Sequence, residues 1–467
     1  MTPTIGLEIH AELKTRTKMF CDSLNDPTEK HPNVNVCPVC LGHPGTLPVP
    51  NKTAIEDVIK VGLAIGGRVN EVAKFDRKNY FYPDLPKGYQ ISQYDKPLIE
   101  GGTLNGVRVR RVHLEEDTAT LAHGDGSASL VDYNRAGMPL MELVTEPDLH
   151  GAEDTTAFAR ELQLILRYLG VSDADMEKGQ MRIEANVSWD MGTKVELKNI
   201  NSFKAVHDAI EYELKRQKAA LESGEKLTQE TRGWDEVKQK TFSQRSKEEA
   251  HDYRYFPEPD IPPFETAGFE PERLHAALPE LPAQKRVRFA REYGLNEKQT
   301  EILVSDLATA NYFEAAMSEL KEDFPDAGAL LLYNYLTSDL RGLMNQEGVS
   351  FADLKVTPEH LAHLAGLLEE KKLTTRQAKD MLVTMLATGD DPEDIATSGN
   401  IGVASNEDEI GAVVLAIIAE NKAAVDDYKK GKMASLQFLI GKAMAKLKGS
   451  AQPAMLKELF ERHLRIS

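Results

Sequence analysis

The N-terminal stretch from Ile5 to Leu13 constrains the fold most, because apolar and charged residues alternate there with a period of two. Glu8, His10 and Glu12 occupy the polar positions. The apolar positions are held by Leu7, Ile9, Ala11 and Leu13. This alternation predicts a β-strand with one face in the core. The opposite face is either a set of metal-binding side chains or an ordinary solvated face, which charged residues commonly form.

The spacing on this strand limits which side chains can share a metal ion. Neighbours on one face of a strand lie roughly 6.5–7 Å apart, so Glu8 with His10, or His10 with Glu12, could bind one divalent cation. Glu8 and Glu12 are too far apart to bind the same ion together. We favour His10 with Glu8, and we expect Glu12 to bind a basic residue, a second ion or substrate through water.

Two later segments, 181–189 and 194–198, repeat the alternation of apolar and polar residues. Their short Gly-containing connection predicts a hairpin. On one antiparallel sheet the polar faces would form a single floor. Its charged residues would be Glu8, His10, Glu116, Glu184, Glu196, Arg182, Lys194 and Lys198. Such a floor offers carboxylates for magnesium and cations for the phosphates of a nucleotide, although a solvated outer face is the alternative.

Three adjacent acids, Glu115, Glu116 and Asp117, follow a further predicted strand that starts near Val107. Like charges this close repel one another unless a metal cation or a basic side chain offsets the repulsion. If the strand continues through them, Glu115 and Glu116 must face opposite sides of the sheet.

The segment 75–94 combines prolines, which exclude long regular structure, with aromatic residues interleaved with Arg and Lys. Rings and cations in this arrangement suit stacking on a base and gripping phosphates, although a packed surface loop would have a similar composition. With the lysines of the second hairpin, the candidate nucleotide contacts are Arg77, Lys78, Tyr80, Lys194 and Lys198.

The chain has three cysteines, Cys21, Cys37 and Cys40, which are too few for a disulfide framework. The Cys-x-x-Cys pair could hold one structural zinc ion with two thiolates, and Cys21 could supply a third. A fourth thiolate is missing, because Ser23 stands two residues after Cys21. The histidines at positions 31 and 43 are possible substitutes, and cysteines left over from a lost site are the alternative.

Charge and hydropathy narrow the class of protein. The net charge of −18 argues against a protein that coats nucleic acid, but residues 421–467 carry ten basic against four acidic residues. This basic tail is typical of an interaction arm. The longest apolar run is too short to span a bilayer, and no signal peptide is evident, so we expect a cytoplasmic protein without membrane contact.

The length of 467 residues predicts two to four domains. Ser202 is suited to cap a helix that runs to about Ser223. Strand patterns give way to helical ones near Pro271, and the small-residue stretch 398–402 is the expected hinge before the tail. We therefore expect an α+β domain over 1–268, an all-helical domain over 269–398 and a small helical tail domain over 399–467.

Five motifs together resemble one family, the B subunits of the aspartyl/glutamyl-tRNA(Asn/Gln) amidotransferases, and the resemblance extends over essentially the whole chain. The motifs are Ile5–His10, Lys74–Asp84, Glu115–Asp117, Asp132–Arg135 and Glu196–Asn199. The resemblance implies an N-terminal cradle domain with an antiparallel sheet, distantly like glutamine synthetase, then a helical domain and a tail domain that contacts tRNA. Family members that bind zinc have a second thiol where this chain has Ser23.

The family reaction uses ATP to phosphorylate the side-chain carboxylate of Glu on tRNA(Gln) or of Asp on tRNA(Asn), after which ammonia displaces phosphate. By this resemblance His10, Glu116 and Glu196 would bind Mg²⁺, with Glu8 adjacent. The candidate catalytic residues are Glu8, His10, Lys78, Arg182 and Lys198. The resemblance also implies a heterotrimer with an amidase A subunit that makes ammonia and a small C subunit.

Two other functions fit the residues less completely. A stand-alone ATP-dependent amide ligase acting on a free amino acid would use the same floor but would not need the basic tail. A non-catalytic RNA-binding scaffold would use the tail but would not cleave ATP.

Overall fold

The computed structural model describes residues 1–123, 128–246, 253–398, 407–447, 451 and 453–466. The chain divides into two compact units, Met1–Pro282 and Ala283–Ser467. The expected hinge at 398–402 lies outside the described residues except for Ser398, which ends a helix. The division into three domains stays a prediction.

A twisted sheet dominates the N-terminal unit. The strands are β1 Pro3–Glu12, β2 Arg68–Val69, β3 Val72–Ala73, β4 Asp76–Asn79, β5 Tyr89–Ser92, β6 Ile99–Glu100, β7 Thr103–Leu104, β8 Val107–Glu116, β9 Thr120–His123, β10 Ser129–Asp132, β11 Pro139–Thr145, β12 Met181–Trp189, β13 Val195–Lys198, β14 Glu230–Asp235, β15 Lys240–Ser246, β16 Phe256–Pro257 and β17 Phe264–Glu265. The main sheet has the order β15-β14-β13-β12-β1-β11-β8-β6-β2, with β7 beside β8.

The central strand β1 pairs antiparallel with β11 on one side and with β12 on the other. The predicted hairpin of β12 and β13 is present and antiparallel. The expected antiparallel sheet nevertheless contains one parallel pair, β13 with β14, because the long helix between these two strands returns the chain in the same direction.

Helices cover one face of the sheet. They are α1 Lys52–Ala64, α2 Ala152–Tyr168, α3 Phe203–Glu222 and α4 Pro271–Ala276, with a 3₁₀ turn at Thr266–Phe269. Ile5, Leu7 and Ile9 of β1 are essentially inaccessible and belong to one apolar cluster with side chains of the first three helices. Fully burying such a side chain contributes about 1.5–3 kcal/mol, so the alternating pattern is tied to one face of the sheet. The polar face of β1 is left for the site.

Side-chain caps fix where these helices begin. Asn51 accepts hydrogen bonds from the backbone N–H groups of the first turn of α1, and Ser202 accepts one from Ala205 N at the start of α3. Each cap satisfies a donor that the helix itself leaves unpaired. The predicted cap at Ser202 is therefore confirmed.

All regular elements in the described part of the C-terminal unit are helices. Its helices are α5 Pro282–Tyr293, α6 Glu297–Val304, α7 Leu307–Asp323, α8 Ala329–Asn334, α9 Arg341–Glu347, α10 Pro358–Glu369, α11 Thr375–Thr388, α12 Pro392–Ser398, α13 Glu407–Glu420, α14 Lys422–Lys429, α15 Met433–Lys446 and α16 Pro453–Ile466, with a π-helical turn at Tyr335–Leu340. The last four helices enclose their own apolar cluster, which includes Val414, Leu439 and Phe460. No described helix has both the length and the apolar character needed to cross a membrane.

A histidine joins three parts of this helical unit. On α10, His363 places Nδ1 2.8 Å from Asp391 Oδ2 and Nε2 3.1 Å from Asp323 Oδ2. Burial lowers the pKa of His363, but the hydrogen bonds with the two carboxylates and their charges outweigh burial and raise the pKa above its ordinary value.

This raised pKa predicts a pH-dependent contribution to stability. The contribution of His363 is full below its unfolded pKa of about 6.5 and is lost as the pH rises through the higher folded value. Replacing it, as in His363→Gln, should cost on the order of 1 kcal/mol at pH 6, a modest value because solvent partly screens the pairs. The cost should be smaller at pH 9, where the imidazole has lost its proton. Calorimetric unfolding of both proteins across this range measures the difference, and a gap that widens with pH would contradict the assignment.

Candidate active site

The polar faces of the central strands form the floor of a cavity of about 810 Å³. Most of the residues that the sequence predicts for this site line the cavity: Glu8, His10, Lys78, Tyr80, Arg182, Glu184, Lys194, Glu196 and Lys198. Its walls also include residues that the sequence did not single out for this role, namely Tyr82, Asp84, Gln90, Arg111, Glu142, Tyr253 and Tyr255. A cavity of this size accommodates a nucleotide together with part of a second ligand.

One group of metal-binding side chains comes from three adjacent strands. His10 of β1, Glu115 of β8 and Glu142 of β11 place possible ligand atoms within 4.8 Å of one another. His10 Nε2 lies 3.4 Å from Glu142 Oε2 and 3.8 Å from Glu115 Oε1. Register brings them together, since His10 is directly opposite Glu142.

Burial and neighbouring charges shift the pKa of the Glu142 carboxyl in opposite directions. Burial raises the pKa of this carboxyl, but the His113 ring and the hydrogen-bonded His10 ring reverse that effect and hold the pKa well below its ordinary value. His113 Nε2 is 3.3 Å from Glu142 Oε2. Glu142 is therefore an ionised carboxylate whose charge is stabilised by two imidazoles.

A second group lies on the neighbouring strands. Glu8 of β1, Glu184 of β12 and Glu196 of β13 also place ligand atoms within 4.8 Å of one another. Burial and then the charges of Glu142 and of the other two acids raise the pKa of Glu8. The ammonium of Lys198 offsets part of this negative charge, because its Nζ lies 2.7 Å from Glu184 Oε2 and 3.6 Å from Glu196 Oε1. Three carboxylates with one ammonium form a site that suits a hard divalent cation.

The two groups separate His10 from Glu8, which we expected to share one ion. Their side chains are on the same face of β1, but each joins acids from different neighbouring strands. Contacts across the sheet, at about 4.5–5.5 Å, are shorter than the spacing along one strand, and they decide the grouping.

The expectation that Glu116 lies on this floor is wrong. Its side chain accepts a hydrogen bond from Lys87 Nζ at 2.7 Å and from Ile91 N at 2.9 Å, and it does not line the large cavity. Glu115 takes the place on the floor instead. The alternation showed that the two must face opposite sides but not which side, because both side chains are buried.

Arg77 is also placed away from the cavity. Its Nε donates to Glu258 Oε2 at 2.7 Å, and its guanidinium lies 4.3 Å from the centre of the Tyr89 ring. The predicted nucleotide contact through Arg77 is therefore not supported by its position, since Arg77 does not line the large cavity.

Three cations stand around the acids. Lys78 Nζ is 3.3 Å from Glu115 Oε2, and the charges of Glu115 and Glu142 outweigh the burial that lowers its pKa, so the pKa is raised well above the ordinary value. Arg182 donates to Asp117 Oδ1 at 2.9 Å. With Lys198 these side chains stay positively charged at neutral pH, as phosphate contacts require.

Glu12 has a different partner from those we expected. Burial, followed by the charge of Asp117, raises the pKa of Glu12 to about 7, and a hydrogen bond joins these two carboxyl groups. Asp117 carries the negative charge of the pair, because Arg182 and Arg135 offset the effect of its burial and lower its pKa. The nearby basic residues, Arg182 and Arg135, therefore stabilise mainly the ionised carboxylate of Asp117.

The cysteines form a separate cluster. The Sγ atoms of Cys21, Cys37 and Cys40 lie within 4.8 Å of one another. Ser23 Oγ is 3.9 Å from Cys40 Sγ, and the fully buried Lys18 has its Nζ 3.8 Å from the same sulfur. A hydrogen bond from the Cys21 thiol, together with the Lys18 charge, outweighs burial and lowers the pKa of Cys40 to about 4. The cluster thus holds one thiolate ready to bind a metal.

The possible histidine substitutes do not join this cluster. His31 is largely exposed, and its ring contacts Glu29. His43 lines a cavity of about 220 Å³ beside the cysteines but is not grouped with their sulfur atoms.

Comparison with known proteins agrees with the geometry. Residues 3–268 match the model of the GatB/GatE catalytic domain, and residues 311–464 match that of the GatB domain. The chain belongs to this family. Relatives named as the B subunit of aspartyl/glutamyl-tRNA(Asn/Gln) amidotransferase include those of Thermomicrobium roseum, at 46% identity over 98% of both chains, and Persephonella marina, at 44% over 99% of both. That of Thermus thermophilus is 44% identical over 97% of both. The resemblance drawn from five motifs is therefore confirmed.

The match to the GatB/GatE catalytic domain covers all the side chains that line the large cavity. One of those that sequence reasoning missed, Glu142, had a readable signal. It is the only charged residue in the apolar strand Pro139–Thr145, and a charged side chain is rarely buried without a partner or a function. Tyr82 belongs to the segment 75–94, whose aromatic residues the sequence associated with base stacking, whereas Tyr253 carried no such signal.

The Glu116 ion pair predicts a stability effect that distinguishes it from a surface pair. Lys87→Met should cost about 3 kcal/mol, because it leaves a buried carboxylate without its cation, and adding Glu116→Leu should recover much of the loss. The control is Lys14→Met, whose pair with Asp173 is exposed and should cost no more than about 1 kcal/mol. Urea unfolding of the N-terminal unit measures each change, and equal losses for the two lysine variants would contradict the assignment.

Proposed function

We propose that this chain phosphorylates the side-chain carboxylate of Glu on tRNA(Gln), of Asp on tRNA(Asn), or of both, with ATP, and then directs ammonia to the activated carboxyl to form the amide. The observation that carries the proposal is the floor itself, where two groups of acidic ligands stand beside Lys78, Arg182 and Lys198 in one cavity. The names of the relatives supply the substrate class, aspartyl- and glutamyl-tRNA.

The acids fit Mg²⁺ by their donor chemistry, because carboxylate oxygens are its preferred protein ligands. One site would be held by His10, Glu115 and Glu142, and another by Glu8, Glu184 and Glu196. Bound there, Mg²⁺ would neutralise charge on the phosphates of ATP. The group of Glu8, Glu184 and Glu196 gathers three carboxylates against the one ammonium of Lys198, and this excess is the reason to expect a divalent cation there.

The protein's own cations would stabilise the negative charge that develops during the reaction. A carboxylate is a poor electrophile, so its oxygen must first attack the terminal phosphorus of ATP while the bond from that phosphorus to ADP breaks. Lys78, Arg182 and Lys198, which line the cavity, would stabilise the negative oxygens of the transferring phosphoryl group. Ammonia then attacks the acyl carbon, and phosphate and a proton leave.

The ammonia must come from another protein in this proposal. The three cysteines are all in one cluster, and the sequence carries no recognisable amidase signature. This supports an arrangement with an amidase A subunit and a small C subunit, and the relatives, which are named as one subunit of an amidotransferase, agree with a complex of several chains. We also propose a glutamine-synthetase-like cradle for the N-terminal domain and a cytoplasmic location.

The tail is the proposed contact with tRNA. Its described basic side chains are exposed to solvent: Lys422, Lys429, Lys430, Lys432, Lys442, Lys446, Lys457 and Arg462. Cations on a helical surface bind the RNA backbone without reading much sequence, so this contact would suit either charged tRNA.

The metal ligands give the sharpest test, because Glu115 and its neighbour Glu116 form a matched pair. In the assembled complex, Glu115→Gln should weaken Mn²⁺ binding by on the order of 10-fold or more and reduce ATP cleavage that depends on Glu-tRNA(Gln) or Asp-tRNA(Asn). Glu116→Gln should leave Mn²⁺ binding near the wild-type value. Electron paramagnetic resonance of bound Mn²⁺ and phosphate release measure the two effects.

The opposite pattern, with Mn²⁺ binding lost in Glu116→Gln alone, would refute the assignment of the floor. ATP cleavage that needs no charged tRNA would instead indicate a ligase for free amino acids, and no ATP cleavage at all would indicate an RNA-binding scaffold.

The cysteine cluster is a proposed structural zinc site with three thiolates. Cys21, Cys37 and Cys40 fit the ion, and Ser23 leaves the fourth position to a hydroxyl or water. The ammonium of Lys18 would balance the excess negative charge of three thiolates on one divalent ion.

Completing the site should therefore strengthen it. We expect Ser23→Cys to tighten Co²⁺ and Zn²⁺ binding on the order of 10-fold or more and to intensify the thiolate-to-Co²⁺ absorption band, because a fourth thiolate replaces a weaker ligand. Ser305→Cys, which adds a thiol in the helical unit, is the control and should change neither. Unchanged affinity and absorption in Ser23→Cys would show that position 23 does not face the metal.

A further inference from the structure

We propose that Tyr82 and Tyr253, at the mouth of the cavity, bind the adenine ring of the 3′-terminal adenosine of the charged tRNA and so position its aminoacyl group over the floor. The inference rests on the proposed function and deepens it by assigning residues to the end of the macromolecular substrate.

Four tyrosines from two segments line the cavity, and they differ in exposure. Tyr80 and Tyr255 are half-buried and held in place. The Tyr80 hydroxyl donates to Gln90 Oε1 at 2.6 Å, and Tyr94 stacks on the Tyr255 ring with centroids 4.4 Å apart and an interplanar angle of 11°. These two rings already have fixed partners on the protein.

The other two rings are more exposed to solvent. Tyr82 is 56% exposed and has no aromatic partner among the residues that the structure describes. Tyr253 is 38% exposed, and it is oriented by edge contacts with Tyr80, at 5.7 Å between centroids, and with Tyr255, at 6.1 Å. An oriented ring and an exposed ring that line the same cavity are surfaces on which a planar base can stack without costly ordering.

Position favours the tRNA end over ATP as the occupant. The phosphates of ATP belong near the cations and acids of the floor, so its base is expected against the inner ring of Tyr80. A tRNA reaches the cavity from solvent and inserts only its terminus, so the exposed rings are the ones that it meets first. Lys78 contacts both the mouth and the floor, because its Nζ lies 5.4 Å from the centre of the Tyr253 ring and also pairs with Glu115.

Charge also favours stacking at this point. The whole chain carries −18, and the floor is rich in acids, so the terminal nucleotide gains little from long-range attraction at the cavity. Stacking of a base on an aromatic side chain contributes about 1–3 kcal/mol and does not depend on net charge. Since every charged tRNA ends in the same nucleotide, one ring can serve both glutamyl and aspartyl substrates.

The first test uses the assembled complex. Tyr82→Leu should raise the KM for Glu-tRNA(Gln) or Asp-tRNA(Asn) by about 5- to 100-fold, because it removes the stacking surface, and should leave the KM for ATP unchanged. Tyr82→Phe keeps the ring and should restore most of the affinity. Phe81→Leu is the matched control, since Phe81 is 84% exposed and adjacent but does not line the cavity.

A second test isolates the base. An inhibitor in which glutamate is amide-linked to 3′-amino-3′-deoxyadenosine is compared with the same glutamyl amide lacking the nucleoside. Tyr82→Leu and Tyr253→Leu should weaken inhibition by the adenosine compound about 5- to 100-fold and leave inhibition by the smaller compound unchanged. Thermal unfolding of each variant confirms that the fold is retained.

The inference is overturned if the variants affect both inhibitors equally, if the KM for ATP rises instead of that for tRNA, or if Phe81→Leu has the same effect as Tyr82→Leu. Failure of the proposed function is distinguishable, because the wild-type complex would then form no amide on either charged tRNA. An active wild-type complex with fully active Tyr82→Leu would refute only the stacking role.

Discussion

The site depends on the register of β1 between β11 and β12. The apolar face of β1 is fixed because Ile5, Leu7 and Ile9 are buried under the helices. A slip of one residue would turn Glu8 and His10 into that core, at a cost that no partner there could offset. With the register fixed, Glu8 comes to lie opposite Glu184, and His10 opposite Glu142. Hydrophobic burial on one side of the sheet thus assembles the charges on the other.

The assembled charges repel one another, and the protein relieves this repulsion only in part. Lys78 pairs with Glu115, and Lys198 pairs with Glu184, yet the pKa of Glu8 is raised by burial and by its acidic neighbours. Such an arrangement costs stability in the free protein. In the proposed function it would also prepare the floor for divalent cations and for a phosphoryl group, because the dipoles and charges would need little reorganisation when the ligands arrive.

Several site residues could be identified from the sequence, and the reasons for success and failure are physical. His10, Glu196 and Lys198 were found because the polar face of a half-buried strand alternates with an apolar one. Glu116 was placed on the wrong side because Glu115 and Glu116 are both buried, so alternation alone left two choices. Arg77 was assigned to the nucleotide because its partner Glu258 is 181 residues away in the chain.

The sequence by itself determined the family, the sheet with one charged face, the helical C-terminal region and the three-thiol cluster, since each rests on local periodicity or on long contiguous motifs. Only the tertiary structure decided which acids lie together. Pairing between strands separated by more than a hundred residues set the two groups around His10 and Glu8, and packing turned Glu116 toward Lys87. Local sequence fixes the face on which a side chain lies, but the partner across the sheet depends on register, which long-range packing sets.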